Sequence, residues 1–144
     1  MVCIAQIVGR KDTGKTAVLE RVISQLKKEG FRVLVIKHSH HRLDLEGKDT
    51  YRLRKSGADY VAFRDLDGIA VFTDDPELLD SLKVDVILVE GFSNFNSPLR
   101  YEIRSPEEIE PLARKVLEDL NQCLRGAKES YNFRPSDILR VAQP

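Results

Sequence analysis

Residues 3–16 read CIAQIVGRKDTGKT, an apolar run followed by a loop that ends in glycine, lysine and threonine. From Gly9 to Thr16 the loop fits the pattern GxxxxGK[ST]. The spacing has a physical reason. Two glycines let the backbone curl until successive N–H groups point into one concavity. A helix that starts at Lys15 adds the positive end of its dipole. The Lys15 ammonium then reaches the β- and γ-phosphates of a nucleotide, and the Thr16 hydroxyl binds Mg²⁺. The bare pattern would arise by chance in about 0.5% of chains of this length, taking Gly as about 7% of residues. Its surroundings also fit. Val18, Leu19, Val22, Ile23 and Leu26 recur at helical spacing between Lys15 and Glu29, so the loop joins a buried strand to an amphipathic helix. Arg10 and Lys11 add positive charge to the loop and Asp12 removes one. Arg10 reads as a solvated side chain, with charge neutralisation during hydrolysis as its functional alternative.

The rest of the chain alternates apolar strands with helical segments. Strands are expected at Arg32–Lys37, Tyr60–Phe63, Ile69–Phe72 and Val84–Val89, with an edge strand at Arg100–Arg104. A short helix is expected from Asp49 as cap to Ser56, and another from Asp75-Pro76. Ser105 to Glu108 reads as a capping box that opens a helix ending at Leu124 and broken at Pro111. The pattern predicts an α/β domain over residues 1–126, a three-layer sandwich with a mainly parallel sheet, followed by a tail over 127–144 with a helical turn at Asp137–Val141. Sheets of this kind bind ligands at the carboxyl ends of their strands.

Two further segments fall at that end. DVILVEGF places Glu90 after five apolar residues, where an unpaired carboxylate would be costly to bury. Beside a phosphate loop, the expected role of Glu90 is to hold Mg²⁺ directly or through water, with a cap or ion pair as the structural alternative. KHSHHRLDLEGKD follows the second strand and carries all three histidines, His38, His40 and His41. Zn²⁺ or Ni²⁺ could suit such a loop, but its spacing is not that of a structural zinc site. The reading placed ahead is recognition of an anionic ligand, with Lys37, His38, Lys48 and Arg52 toward phosphates and Asp44 or Asp49 toward Mg²⁺.

Composition narrows the class. The 144 residues are about one domain's worth. Hydrophobic residues at 42% exclude general disorder, and charged residues at 32% exclude a membrane protein. Lys plus Arg and Asp plus Glu both number 23, which argues against a nucleic-acid partner. Arg10 and Lys11 follow the first apolar run instead of preceding it, so no targeting segment is expected. Cys3 and Cys123 lie in apolar patterns and read as two buried thiols in a reducing cytoplasm.

The motifs taken together, GRKDTGKT, VIKHSHH, GKDTYRLRKSGA and ILVEGF, resemble the molybdopterin-guanine dinucleotide biosynthesis adaptor family, MobB, from about Cys3 to Phe92. The resemblance implies a dimeric P-loop protein that binds GTP and hydrolyses it weakly. It also implies a partner, the guanylyltransferase that attaches GMP to molybdopterin. It assigns nucleotide contacts to Gly9, Arg10, Lys11, Asp12, Thr13, Gly14, Lys15, Thr16 and Ala17. Thr16 and Glu90 take the metal, and His38, His41, Lys48 and Asp49 have a functional place. Family members usually carry Lys after EGF, where this chain has Ser93. Guanine selectivity rests on the resemblance, since the chain shows no NKxD motif. Two rival classes share the loop: a metallochaperone GTPase of the nickel-insertion type and a small-molecule kinase. The first usually adds Cys-Pro-His motifs and the second an arginine-rich lid.

Overall fold

A computed structural model describes residues 2–41, 43–44, 48–126 and 132–141. Four strands form one parallel sheet: β1 (Cys3–Val8), β2 (Val33–Lys37), β5 (Val86–Glu90) and β6 (Leu99–Glu102), in the order β2-β5-β1-β6. Between β2 and β5 in sequence, β3 (Tyr60–Arg64) and β4 (Ile69–Thr73) pair antiparallel as a separate hairpin. The helices are α1 (Lys15–Lys28), α2 (Asp49–Lys55), α3 (Ile109–Leu124) and α4 (Pro135–Val141).

Alternation along the strands sorts the core into two layers. Cys3, Ala5 and Ile7 of β1, with Val86 and Leu88 of β5, pack against Val18, Val22 and Leu26 of α1 and Val116 and Leu120 of α3. Val2, Ile4, Ile87 and Val89 face the other way, where Ile138 of α4 and the Phe92 and Phe95 rings cover them. The central strands are therefore apolar on both faces, as parallel strands between helical layers must be. The three-layer, mainly parallel sandwich expected from the sequence is the one observed.

Several local expectations change. Cys3 and Cys123 are not two thiols: they form a disulfide between the start of β1 and the last turn of α3. Packing of α3 on β1 brings their Cα atoms to 6.1 Å, within bonding range, although 120 residues separate them in sequence. Pro111 does not break its helix, because it is the third residue of α3, in the first turn, where the N–H it lacks has no helical partner. The expected capping box is shifted. Ser105 makes no side-chain cap, and the Glu108 carboxylate accepts from the Arg104 N–H at 3.1 Å instead. The cap of α2 is Lys48, one residue before Asp49, which lies in the first turn. At Asp75 the expected cap is present, but it opens a 3-10 turn over Pro76–Ser81.

Of the expected tail, α4 starts two residues before the predicted turn. The Asp80 carboxylate fixes it, accepting from the Ser136 N–H at 2.9 Å and the Ser136 hydroxyl at 2.7 Å. Residues 127–131 and 142–144 lie outside the described residues.

Candidate functional site

Strand parity builds the site. Val86, Leu88 and Glu90 share one face of β5, so the side chain that follows two core residues emerges beside the start of α1. There the Thr16 hydroxyl donates to Glu90 Oε1 at 2.8 Å. The Glu90 side chain is only 8% exposed, and its Oε2 lies 3.8 Å from Lys37 Nζ at the end of β2. The carboxylate is buried but has partners, which meets the cost of removing it from water.

The loop ahead of α1 curls as its glycines require. A Cβ on Gly9 would stand 2.5 Å from the Ile103 carbonyl oxygen. One on Gly14 would stand 2.7 Å from two side-chain carbons of Ile109, and Gly14 is left-handed at φ 110°. Neither position accepts another residue without backbone or core movement. The loop is braced from within. Lys15 Nζ donates to the Gly9 carbonyl at 2.7 Å and the Arg10 carbonyl at 3.0 Å. The Thr13 hydroxyl donates to the Arg10 carbonyl at 2.7 Å. Helix α1 has no side-chain cap, so its first N–H groups remain available to an anion.

Loop, helix start and strand ends border a cleft of about 900 Å³. Among the residues singled out from the sequence, Gly9, Lys11, Asp12, Gly14, Lys15, Thr16, Ala17, Lys37, His38, His40, His41, Glu90 and Ser93 line it. Arg10 and Thr13 stay in the loop without lining the cleft, and Lys48 and Asp49 sit at the start of α2 away from its wall. Asp49 faces solvent, 4.0 Å from Arg52. Asp44 is held from the other side, accepting from Thr50 at 2.7 Å and Arg54 at 2.9 Å. Burial opposes its charge, but the Arg54 and Thr50 hydrogen bonds and the Arg54 charge hold the carboxyl below its ordinary range.

The three histidines all border the cleft without forming a metal site. His38 meets His40 edge-on with ring centres 5.2 Å apart and lies against the Phe92 ring at 5.1 Å. Among the described residues, no three His, Cys, Asp or Glu side chains gather as metal ligands.

One residue escaped the sequence reading. Gln6 lies in the middle of β1 and is fully buried. Its Nε2 donates to the carbonyls of Gly91 at 2.9 Å and Phe92 at 2.8 Å, and its Oε1 accepts from the Ser97 N–H at 3.1 Å. A signal was there: a polar side chain inside the apolar run CIAQIV raises the same question of burial that singled out Glu90.

Sheet order, glycine loop, helix start and carboxylate at the neighbouring strand end define the P-loop NTPase-like class of α/β proteins. Residues 4–119 match the sequence profile of the family described as Molybdopterin guanine dinucleotide synthesis protein B. The chain belongs to that family, MobB. It is 37% identical over 97 residues to the molybdopterin-guanine dinucleotide biosynthesis adapter protein of Haemophilus influenzae, covering 60% of this chain and 54% of that one. To the Escherichia coli protein of the same description it is 38% identical over 95 residues, covering 57% and 54%. The crystal structure of Bacillus subtilis MobB superimposes with a TM-score of 0.56 at 29% identity, over 76% of this chain and 72% of that one. The chain thus spans about half the length of the curated relatives it matches.

Proposed function

We propose that this chain binds GTP with Mg²⁺ in the cleft and acts as an accessory protein in molybdenum cofactor biosynthesis. Its partner is the guanylyltransferase that joins GMP to molybdopterin. The observation that carries this reading is the Thr16–Glu90 contact of 2.8 Å at the mouth of the glycine loop. One hydroxyl and one carboxylate, both oxygen donors and both beside a phosphate loop, suit Mg²⁺, which keeps several waters and takes few protein ligands. Thr16 and Glu90 would hold the ion, and its chemistry is to neutralise charge across the phosphates. The loop N–H groups and Lys15 bind the phosphates, Lys37 adds a cation 3.8 Å from Glu90, and Gly9 and Gly14 keep the loop close. His38 and His41 close one wall toward the rest of the nucleotide or toward molybdopterin. Lys48 and Asp49 belong to the partner-facing rim in this reading. Hydrolysis is weak at most in this reading, since no glutamine that could orient water stands among the described residues lining the cleft.

The names of the relatives support the pathway, and their length leaves the partner to be tested. The chain acts as a homodimer in the cytoplasm. Among the described residues no helix is long and apolar enough to cross a membrane. The Cys3–Cys123 bond removes one support for the cytoplasm, because disulfides are rare in reducing compartments.

The test is calorimetric titration with GTP, ATP and molybdopterin, each with and without Mg²⁺. GTP should bind at least tenfold more tightly with Mg²⁺ and more tightly than ATP. Absence of any nucleotide binding would overturn the reading, and tight Zn²⁺ or Ni²⁺ binding in the same series would favour a metallochaperone.

A further inference from the structure

The turn after Glu90 is unusual in its backbone. Gly91 and Phe92 are both left-handed, at φ 84° and 55°, and Phe92 carries a bulky side chain in a conformation that L-residues avoid. Such a pair persists only if its surroundings hold it. Glu90 itself is tied by its backbone on both sides. Its carbonyl accepts from the His38 N–H at 3.0 Å, and the next N–H, of Gly91, donates to the Ile7 carbonyl at 3.0 Å. Beyond that, the two carbonyls of the turn point at one side chain, the Gln6 amide. Register puts Gln6 opposite Val89, so its side chain projects to the face away from Glu90 and never touches the carboxylate. It reaches the turn from below and completes its bonding with the Ser97 N–H at the far end of the same loop.

We propose that Gln6 is the positioning residue of the cation site: its buried amide locks the Gly91–Phe92 turn, and through it fixes the Glu90 carboxylate at Thr16 and the Phe92 ring against His38. The proposal rests on the nucleotide reading for its binding readout and stands on its own for its structural one. An apolar residue of equal size would leave the Gly91 carbonyl and the Ser97 N–H without this partner. The Phe92 carbonyl would keep the Phe95 N–H at 2.8 Å. The turn would then relax toward ordinary backbone angles, and the first atoms to shift would be those next to Glu90.

The experiment compares full-length wild type with Gln6→Met. GTP affinity is measured in Mg²⁺ and in EDTA, and amide hydrogen exchange is followed residue by residue. Expected are a roughly tenfold smaller gain in GTP affinity from Mg²⁺ and an affinity in EDTA within twofold of wild type. Exchange should quicken at Gly91 and Ser97 but not at Ile87 or Leu88. Equal losses in Mg²⁺ and EDTA would assign Gln6 a general structural role and overturn the proposal. Unchanged exchange at Ser97 would overturn it as well. If the wild type binds no GTP, the nucleotide reading fails, and the exchange pattern alone decides whether Gln6 holds the turn. Should Gln6→Met not fold, Gln6→Asn, which keeps a neutral amide but draws it back from the turn, carries the same measurements.

Discussion

The proposed site turns on Lys15 and Glu90. Lys15 stands out in the sequence because its place in GxxxxGK[ST] is that of a lysine that reaches phosphates, and the curled loop holds its ammonium 2.7 Å from the Gly9 carbonyl. Lys15→Ala should cost nucleotide binding roughly 1.5–3 kcal/mol, the worth of a charge-assisted contact. Unchanged binding of a fluorescent GTP analogue would show that the loop does not hold phosphates. Glu90 was legible because an apolar run ended in a carboxylate. Glu90→Gln should cut the Mg²⁺-dependent gain in affinity by about tenfold, or ~1.4 kcal/mol, and leave metal-free binding nearly unaltered. Equal effects with and without metal would make Glu90 a structural residue. Gln6 was missed although its burial poses the same question, because an amide in a strand has many possible partners and the sequence does not show which loop will pass above it.

At the scale of elements, periodicity located strands and helices well and their ends less well. Lys15–Lys28 and Cys3–Val8 follow from hydrophobic spacing alone. Pro111 looks like a break in the sequence because a proline's effect depends on how many residues precede it in the helix, and periodicity does not fix that boundary. The pairing of β6 with β1 is also non-local, and a part-buried polar contact ties β6 to the helix above it: the Tyr101 hydroxyl donates to Asp119 Oδ2 of α3 at 2.6 Å. Burial, then the hydrogen bond to Asp119 and its charge, push the Tyr101 phenol far above its ordinary value. The folded state therefore keeps a proton that the unfolded chain loses above about pH 10. The contribution is complete below that pH and is lost as pH rises beyond it. Urea unfolding should show stability falling above pH 10 in the wild type and a shallower fall in Tyr101→Phe. Parallel curves would mean that the phenol does not govern the alkaline limit.

For the molecule as a whole, the layered α/β architecture was readable from alternation of strands and helices, while the hairpin's separation from the main sheet was not. Two short strands joined by RDLDG look the same in sequence whether or not they join a larger sheet. Set apart, the hairpin exposes Tyr60, Ile69 and Val71 on one face and Phe63 on the other, with Leu66 at its tip. The first of these faces suits the proposed homodimer. Sedimentation should give a dimer for the wild type and a shift toward monomer for the double variant Ile69→Asp, Val71→Asp. An unshifted dimer would place the interface elsewhere.

The Cys3–Cys123 bond stabilises the fold by about 2–4 kcal/mol if it behaves as others do, which denaturation of Cys123→Ser will measure. It has a second consequence, one of connectivity. Everything from Cys3, ahead of the glycine loop, to Cys123 in the last turn of α3 lies inside a single covalent ring. One backbone cut anywhere within that ring opens it without dividing it. A singly nicked molecule should migrate as one species under non-reducing denaturing conditions and as two after reduction, so that the pieces bearing Lys15 and Glu90 stay tethered until a reductant parts them.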